Sequence, residues 1–462
     1  MAERGLAPGG AVVSRANIVA RAIARTIRGV VASAAFAFSA RAQTATSRAV
    51  SLGEAVRLAA SQSAAVQSAS AQADVLEARM HGSRSALLPS IGAAWTDGKR
   101  SYNSASFGIP FPGFDPNGSI ISGVRTIDAR AHASMTVWNP VALSDYRNAD
   151  AAARRGGADV VAVREAAMVA AAMAYVRAAR GDAQVTARAA DSSLAAELLG
   201  IAQQELRSGV GVVLDVTRAQ VQVARVRAQL VAAREERDRA RLELLRVTGL
   251  PLNTVVELRD SLAALPRAEA ATTPEAAVAA ALQERDDLRA LGDAIAASAR
   301  AVSAARDEWR PSVALFGDDG YTAAKYPYLQ RTYTYGVQVS VPIWEGSRRE
   351  SRVEERDAVL RVADLRKRDL ETQIAVDVRA ALLDLSAARE QVAAASDAVS
   401  FAEQAVAQAR DRFRTGVAGS GDVVSAQLDA SASRSQLVDA LTALQSARVA
   451  LARAQGRLSA MP

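Results

Sequence analysis

The chain has 462 residues, half of them hydrophobic, so it can form a sizeable core and is not mainly disordered. Aromatic residues are scarce and alanine is abundant, which favours long helices over compact β or α/β layers. The formal net charge of +7 comes mostly from residues 1–42, with six arginines against one glutamate, so no nucleic-acid partner is expected.

The first 42 residues are predicted to be a secretory signal peptide. Arg28 precedes an apolar stretch, residues 29–38, and Ala40-Arg41-Ala42 gives the small-residue pattern of a cleavage site after Ala42. The alternative is an arginine-rich amphipathic anchor or transit peptide, which the long basic region favours. Because the sequence has no cysteine, neither a disulfide nor an N-terminal lipid anchor is expected.

A β-hairpin is predicted at about residues 89–138. From Ile127 to Val137, apolar residues occupy the odd positions and polar residues the even positions, as in a strand with one apolar face. A weaker partner strand precedes it, at about residues 90–97. The same alternation from Tyr333 to Val341 predicts a second hairpin, at about residues 311–344, with a partner strand at about 312–321.

Two long stretches without proline, residues 141–250 and 343–461, predict long helices. In the second stretch, one set of residues recurs every seven positions, namely Val378, Leu385, Val392, Val399, Val406 and Phe413. An alanine lies three positions after each of the first five of these residues, as in a coiled-coil seam. A helix from Glu345 to Arg414 would be about 100 Å long. Heptads alone would also suit an ordinary coiled-coil spacer.

The two halves of the chain are repeats. The segment Leu88-Pro89-Ser90-Ile91 is similar to Arg310-Pro311-Ser312-Val313, where a helix leads into a strand. Arg207-Ser208-Gly209-Val210 with Asp215-Val216 matches Arg414-Thr415-Gly416-Val417 with Asp422-Val423, at a constant offset of 207 residues. We therefore expect a first repeat over 43–250, a linker over 251–273 and a second repeat over 274–462. The helical tips are expected at about 207–215 and 414–422.

The aromatic residues favour strands that cross a membrane. The four tryptophans lie in or beside the predicted strands: Trp95, Trp138, Trp309 and Trp344. Strands of about ten residues with aromatic flanks are typical of a transmembrane β-barrel, although a soluble α+β domain with an aromatic core is the alternative. Four strands cannot close a barrel, so several chains would share one. The polar face would then line the lumen with Asp128, Arg130, His132 and Gln338.

This arrangement resembles the TolC-like outer membrane factor family, also called outer membrane efflux proteins, over about residues 51–458. The resemblance lies in the Pro-Ser strand entries, the strand exit Val341-Pro342-Ile343-Trp344-Glu345-Gly346 and the paired glycine and Asp-Val turns. It implies a mainly α fold with a transmembrane β-barrel. Three chains would form one twelve-stranded barrel, four strands from each, on a long α-helical coiled-coil barrel that extends into the periplasm.

The resemblance also implies partners. They are a periplasmic adaptor (membrane fusion) protein, an inner-membrane transporter of the RND or ABC class, and outer-membrane lipid. The sequence thus predicts the outer-membrane channel subunit of a tripartite efflux or type I secretion system, which conducts cargo passively. The alternative is a periplasmic coiled-coil adaptor or structural protein without a barrel, which would share the heptads but needs no hairpins with aromatic flanks.

No catalytic, metal or cofactor site is expected. His81 and His132 are the only histidines, and no zinc-protease, phosphate-loop or nucleophile-elbow motif occurs. The candidate functional residues are instead at the helical tips. Gly209 and Gly416 suit tight turns, and Asp215 and Asp422 lie near the start of the next helix, where a carboxylate also suits the helix dipole.

A functional interpretation of the tips comes from symmetry. Copies of Asp422 around an axis would make a ring of carboxylates that favours cations at the tunnel entrance, with Asp215 nearby. In the best-known members of the family this region also carries an arginine and tyrosine latch and a second carboxylate. The corresponding positions here are Ala418, Phe413 and Ser425, so these positions do not match the latch pattern, which leaves open whether the entrance is latched. The adaptor-docking tip is expected to consist of Gly209, Val210, Gly416 and Val417.

Overall fold

The computed structural model describes residues 47–107, 118–265, 273–415, 417 and 419–460. The helices are α1 (Leu52–Gln62), α2 (Ala64–Ser85), α3 (Pro140–Arg207), α4 (Val213–Thr248), α5 (Pro274–Glu284), α6 (Asp286–Arg306), α7 (Arg348–Arg414) and α8 (Ser420–Ala454). The strands are β1 (Ser47–Val50), β2 (Ser90–Asn103), β3 (Ile120–Trp138), β4 (Val255–Leu258), β5 (Ser312–Ala323) and β6 (Gln330–Ser340). The predicted signal peptide, Gly416 and Ala418 lie outside the described residues.

Two long helical hairpins dominate the chain. Helix α3 has 68 residues and α7 has 67, so each is about 100 Å long. Asn139 caps α3, because its side-chain oxygen accepts hydrogen bonds from the amides of Val141 and Ala142, and Pro140 suits the first turn. Near the turns that end the hairpins, α3 packs between α4 and α8; near the sheet it packs against α2 and α6.

The heptad seam of α7 is buried against α8. Its contact residues form one cluster, which consists of Ala381, Leu385, Ala388, Leu444, Ala447 and Leu451. Alanine opposite leucine allows the two helices to approach closely. Helix α7 begins at Arg348, three residues later than expected, because Gly346 and Ser347 both have positive φ angles, which a right-handed helix excludes.

In the first helical hairpin, a glycine sets the distance between α3 and α4. A Cβ added to Gly181 would lie 2.9 Å from the Cα of Arg237, closer than real side chains come. Gly157 on the same helix has open space around it. The α3–α4 contact therefore needs a residue without a side chain at position 181.

The four long strands form one antiparallel sheet in the order β2-β3-β5-β6. Within it, β3 pairs with β2 along most of its length and with β5 on its other side. The strands β2 and β6 form the two edges of the sheet and have no further neighbour in the described part of the chain. The two predicted hairpins are thus joined into one sheet by the β3–β5 pairing.

A small parallel pair, β1 and β4, lies beside the helices and was not predicted from the sequence. Tyr175 of α3 is fully buried next to it, and its hydroxyl lies 3.1 Å from the carbonyl oxygen of Val50 and 3.2 Å from a carboxylate oxygen of Asp260. The core cluster around Tyr175 includes residues of α1, α3, α4 and α8. Within the described ranges, none of the helices has the length and apolar character needed to cross a membrane.

Candidate functional site at the helical turns and on the sheet

The first helical tip is a tight turn between α3 and α4. Gly209 has a φ angle of 81°, in the left-handed region that glycine adopts without strain. The amides of Val210 and Gly211 both donate to the carbonyl oxygen of Glu205, which satisfies the end of α3. Val210 is exposed at the turn, as is Val417 at the second tip, whereas Gly416 lies outside the described residues.

Asp215 links the two hairpins. It lies in the first turn of α4, where its carboxylate accepts a hydrogen bond from the hydroxyl of Ser420, in the first turn of α8. Arg218 lies 3.8 Å from the same carboxylate. Burial and the nearby Asp215 charge raise the pKa of Glu205, at the end of α3. The sequence-predicted Asp215 is therefore a contact between the two repeats.

The equivalent residue of the second repeat, Asp422, is placed differently. Its side chain is exposed, and it has no ion pair or side-chain hydrogen bond within the described ranges. Ser425 is also exposed, one turn further along α8. Phe413 is buried in a cluster with Leu198 and Val423. In the single chain, Asp422 and Ser425 thus face outward, whereas Phe413 packs one hairpin against the other.

Further polar contacts join the two helical hairpins close to their tips. Glu197 of α3 pairs with Arg410 at 3.1 Å and with Arg414 at 3.3 Å, both on α7. These pairs were not anticipated, because the residues are far apart in sequence and have no motif. They add a third connection, after Asp215–Ser420 and the Phe413 cluster.

A buried carboxylate lies deeper between the hairpins. Asp191 of α3 is 1% exposed and accepts hydrogen bonds from Arg434 at 2.9 Å and Ser431 at 2.7 Å, both on α8. Arg188 also lies 3.3 Å from this carboxylate. A second acid, Glu403 of α7, pairs with Arg434 at 2.9 Å. Burial lowers the pKa of Arg434, but its hydrogen bonds to Glu403 and Asp191 raise the pKa by more, so the pKa is raised overall. Three helices are tied together by this network.

On the sheet, the predicted luminal residues share one face. Arg130 pairs with Asp128 at 2.6 Å and with Asp318 of β5 at 2.7 Å. The ring of His132 covers Gly92 on the neighbouring strand. Gln338 is exposed on β6, on the same face as the other three according to the strand register. Asp318 was missed from the sequence, because β5 has two consecutive aspartates and alternation alone does not show which one pairs.

The opposite face of the sheet is mostly apolar and exposed. Its large exposed residues include Ile91, Trp95, Tyr335, Val337 and Val339. Two ion pairs interrupt it toward the loop ends of the strands, Asp97 with Arg125 and Asp319 with Arg331. The expected alternation therefore holds nearer the helices and fails toward the loops.

The tryptophans lie mainly where the sheet meets the helices. Trp138 ends β3, Trp309 lies just before β5, and Trp344 follows β6. Trp95 lies inside β2. The guanidinium of Arg349 lies 5.2 Å from the centre of the Trp309 ring, a cation–π contact. No group of three or more histidine, cysteine, aspartate or glutamate residues is arranged to hold a metal in the described part of the chain.

The sequence matches the model of a known family, outer membrane efflux protein, over residues 55–250 and 277–457. These two matched segments cover most of the chain and correspond to its two repeats. The chain belongs to the outer membrane efflux protein family. As a member, it is an outer-membrane channel protein of the efflux type and not an enzyme.

Solved structures share the fold of this efflux protein. The CmeC outer membrane channel of Campylobacter jejuni is 17% identical, with a TM-score of 0.70, covering 88% of this chain and 85% of CmeC. VceC of Vibrio cholerae is 18% identical, with a TM-score of 0.70, covering 88% and 96% of the two chains. A membrane protein from Pseudomonas aeruginosa is 18% identical, with a TM-score of 0.73, covering 88% and 90%. No curated protein sequence matches the chain.

Proposed function

We propose that this efflux protein is the outer-membrane subunit of a tripartite efflux or type I secretion system. In this role it conducts cargo passively from a periplasmic adaptor and an inner-membrane pump of the RND or ABC class to the exterior. The observation that carries the proposal is a four-stranded sheet with one exposed, mostly apolar face, attached to helices about 100 Å long. Within the described residues, both edges of this sheet are unpaired.

The sheet supports a barrel shared by three copies. Strands with unpaired edges are not tolerated in hydrocarbon, so β6 of one copy would pair with β2 of the next. Because β2 and β6 run in opposite directions, this added pairing would also be antiparallel. Three copies then give twelve strands, an even number that suits an antiparallel barrel. The apolar face would meet lipid, with tryptophans at the level where the sheet joins the helices.

The polar face would form the wall of the conduit. Asp128, Arg130 and Asp318 make one ion-paired group per copy, with His132 and Gln338 on the same face. No cofactor is needed, because the work of transport would be done by the inner-membrane pump.

The tips would form the periplasmic entrance. Asp422 is exposed and lacks a partner within the described ranges, so three copies would present a ring of free carboxylates that favours cations. Val210 and Val417 are exposed at the ends of the hairpins, farthest from the sheet. Together with Gly209 and Gly416 they would form the adaptor-docking tip.

Membrane fractionation tests the proposed location and assembly together. The protein should sediment with the outer membrane and run on SDS gels as an oligomer that heating converts to the single chain. A protein recovered from the soluble periplasm as a single chain would contradict the proposal and favour the coiled-coil adaptor.

Site-specific cross-linking tests the adaptor-docking tip. A photo-reactive residue at Val417 should cross-link to the periplasmic adaptor in whole cells, whereas the same residue at Ile91, on the apolar face of the sheet, should cross-link to lipid. Cross-links from position 417 to outer-membrane lipid would refute the assignment of this tip.

A further inference from the structure

The apolar face of the sheet carries three cationic side chains toward the strand ends that are far from the helices. They are Lys99 on β2, Arg125 on β3 and Arg331 on β6, and together we call them the cationic band. By the strand register, they share this face with Trp95 and Tyr335. A charge on a lipid-facing surface destabilises the protein, and it does so least where hydrocarbon meets the headgroups. Their presence on this face therefore indicates a partner other than hydrocarbon.

The position of the band along the strands matches the outer edge of an apolar layer. Lys99 lies nine residues after Ser90, where β2 begins, and Arg331 lies nine residues before Ser340, where β6 ends. At about 3.4 Å per residue, nine residues extend about 31 Å along a strand. A strand tilted by about 40° rises about 23 Å over that length, close to the apolar height of roughly 25 Å in outer-membrane barrels. In the proposed orientation, the cationic band therefore lies at the level of the outer headgroups.

Two cations of the band lie directly opposite each other. Lys99 of β2 and Arg125 of β3 are register partners on the same face of the sheet. Like charges opposite each other on neighbouring strands destabilise a sheet. Asp97 neutralises only one of them, because it binds Arg125, whereas Lys99 is exposed and has no ion pair in the part of the chain that the structure describes. This pair of cations therefore lacks one negative charge.

The two arginines of the band are held in the same way. Arg125 donates from Nε and Nη2 to the carboxylate of Asp97, at 2.8 and 2.5 Å. Arg331 donates from the same two atoms to Asp319, at 3.0 and 2.8 Å. In both pairs the carboxylate lies nearer the helices, and Nη1 of the arginine has no acceptor among the described residues. Each guanidinium is thus fixed by one carboxylate and keeps donors for a second anion.

We propose that the cationic band binds the phosphate groups of anionic lipids in the outer leaflet. This inference rests on the proposed function, which puts the sheet in the outer membrane, and it names the lipid chemistry that the sheet meets there. Three cations against two carboxylates leave a net charge of +1 on this part of the face, which complements an anionic headgroup. One phosphate offers acceptors to both Lys99 and Nη1 of Arg125. The acyl chains would then lie along Trp95 and Ile91, which are exposed on the same face.

Native mass spectrometry of the detergent-extracted protein tests the proposal by counting the lipids that the protein retains. The probes are phosphatidylglycerol, which is anionic, and phosphatidylcholine with the same acyl chains, which has no net charge. The protein should bind phosphatidylglycerol more tightly, and added salt should reduce this preference. Equal binding of the two lipids would overturn the proposal. Displacement of phosphatidylglycerol by an equal concentration of inorganic phosphate would also overturn it, because the site would then select a free anion and not a lipid.

Lys99 and Arg100 provide a matched pair of variants, because they are adjacent, exposed cations on opposite faces of β2. Lys99→Gln should weaken the binding of phosphatidylglycerol about fivefold, the effect of one cation at an anionic lipid surface. Arg100→Gln removes the same charge from the polar face and should leave lipid binding unchanged. Lys99→Arg keeps the charge and should bind like the unchanged protein. Equal lipid affinities of Lys99→Gln and Arg100→Gln would refute the cationic band as the binding surface.

A charge-neutral variant tests the arginines separately from the net charge. Asp319→Asn with Arg331→Gln removes one carboxylate and one guanidinium, so the net charge of the face stays the same. The binding of phosphatidylglycerol should still fall, because the donors of a fixed guanidinium are lost. Unchanged binding would refute Arg331 as a phosphate donor.

Fractionation of the same proteins separates a failure of the lipid surface from a failure of the proposed function. If the unchanged protein and Lys99→Gln both sediment with the outer membrane as heat-sensitive oligomers but bind both lipids equally, the lipid surface is refuted and the proposed channel stands. If the unchanged protein does not sediment with the outer membrane, the proposed function is refuted, and the lipid surface with it.

Discussion

At the scale of single residues, matching carboxylates make different contacts in the two repeats. Asp215 and Asp422 match in sequence, yet Asp215 bonds to Ser420 and Asp422 is exposed without a partner within the described ranges. Spacing could therefore predict a carboxylate near each helix start but not which one is engaged. Asp215 forms a contact because the fold places Ser420 beside it, although the two residues are 205 positions apart in the chain.

The buried Asp191 gives the sharpest test at this scale. Asp191→Asn is expected to destabilise the folded protein by about 3 kcal/mol, the lower end for breaking a buried ion pair, because Arg434 keeps Glu403. The measurement is the denaturant midpoint of the purified protein. Asp439→Asn removes an exposed partner of Arg180 and should cost about 1 kcal/mol or less. Equal midpoints for the two variants would contradict the structural role of Asp191.

Glu165 predicts a dependence of stability on pH. Burial, together with Asp287, raises its pKa from 4.5 to about 7, although Arg285 and Arg453 oppose the shift. The folded chain therefore binds this proton more tightly than the unfolded chain, and stability falls as pH rises from about 4.5 to about 7. Thermal melting at several pH values should show a smaller fall for Glu165→Gln. The same fall in both proteins would refute this assignment.

At the scale of elements, periodic patterns were the best guide. The seven-residue spacing of α7 predicted the residues that are buried against α8, and period-two alternation located β3 and β6. The pattern was weaker where charges pair on the apolar face, as Arg125 does with Asp97, and β3 begins at Ile120, earlier than predicted. The pair β1–β4 has four residues per strand, too few to show a period.

The strand alternation predicts a difference between adjacent positions of β6. Val339→Asp places a charge on the apolar face and should reduce the amount of heat-sensitive oligomer in the outer membrane, since a charge facing lipid is costly. Gln338→Asp places the same charge on the polar face, one residue away, and should assemble normally. Immunoblots of outer-membrane fractions measure both. Equal assembly of the two variants would argue against a membrane-spanning β6.

At the scale of the whole molecule, the feature that bears most on function is the four-stranded sheet and its two edges. Within the described residues, the edge strands β2 and β6 each have only one neighbouring strand. Family membership establishes an efflux-type outer-membrane channel. In the proposed assembly, three copies would join their sheets into one barrel.

The mass of the assembly extracted from the outer membrane tests the central claim most directly. Native mass spectrometry in detergent should give three chains per particle, because three sheets of four strands would make the proposed twelve-stranded barrel. A particle of one chain, or of any number other than three, would contradict the account.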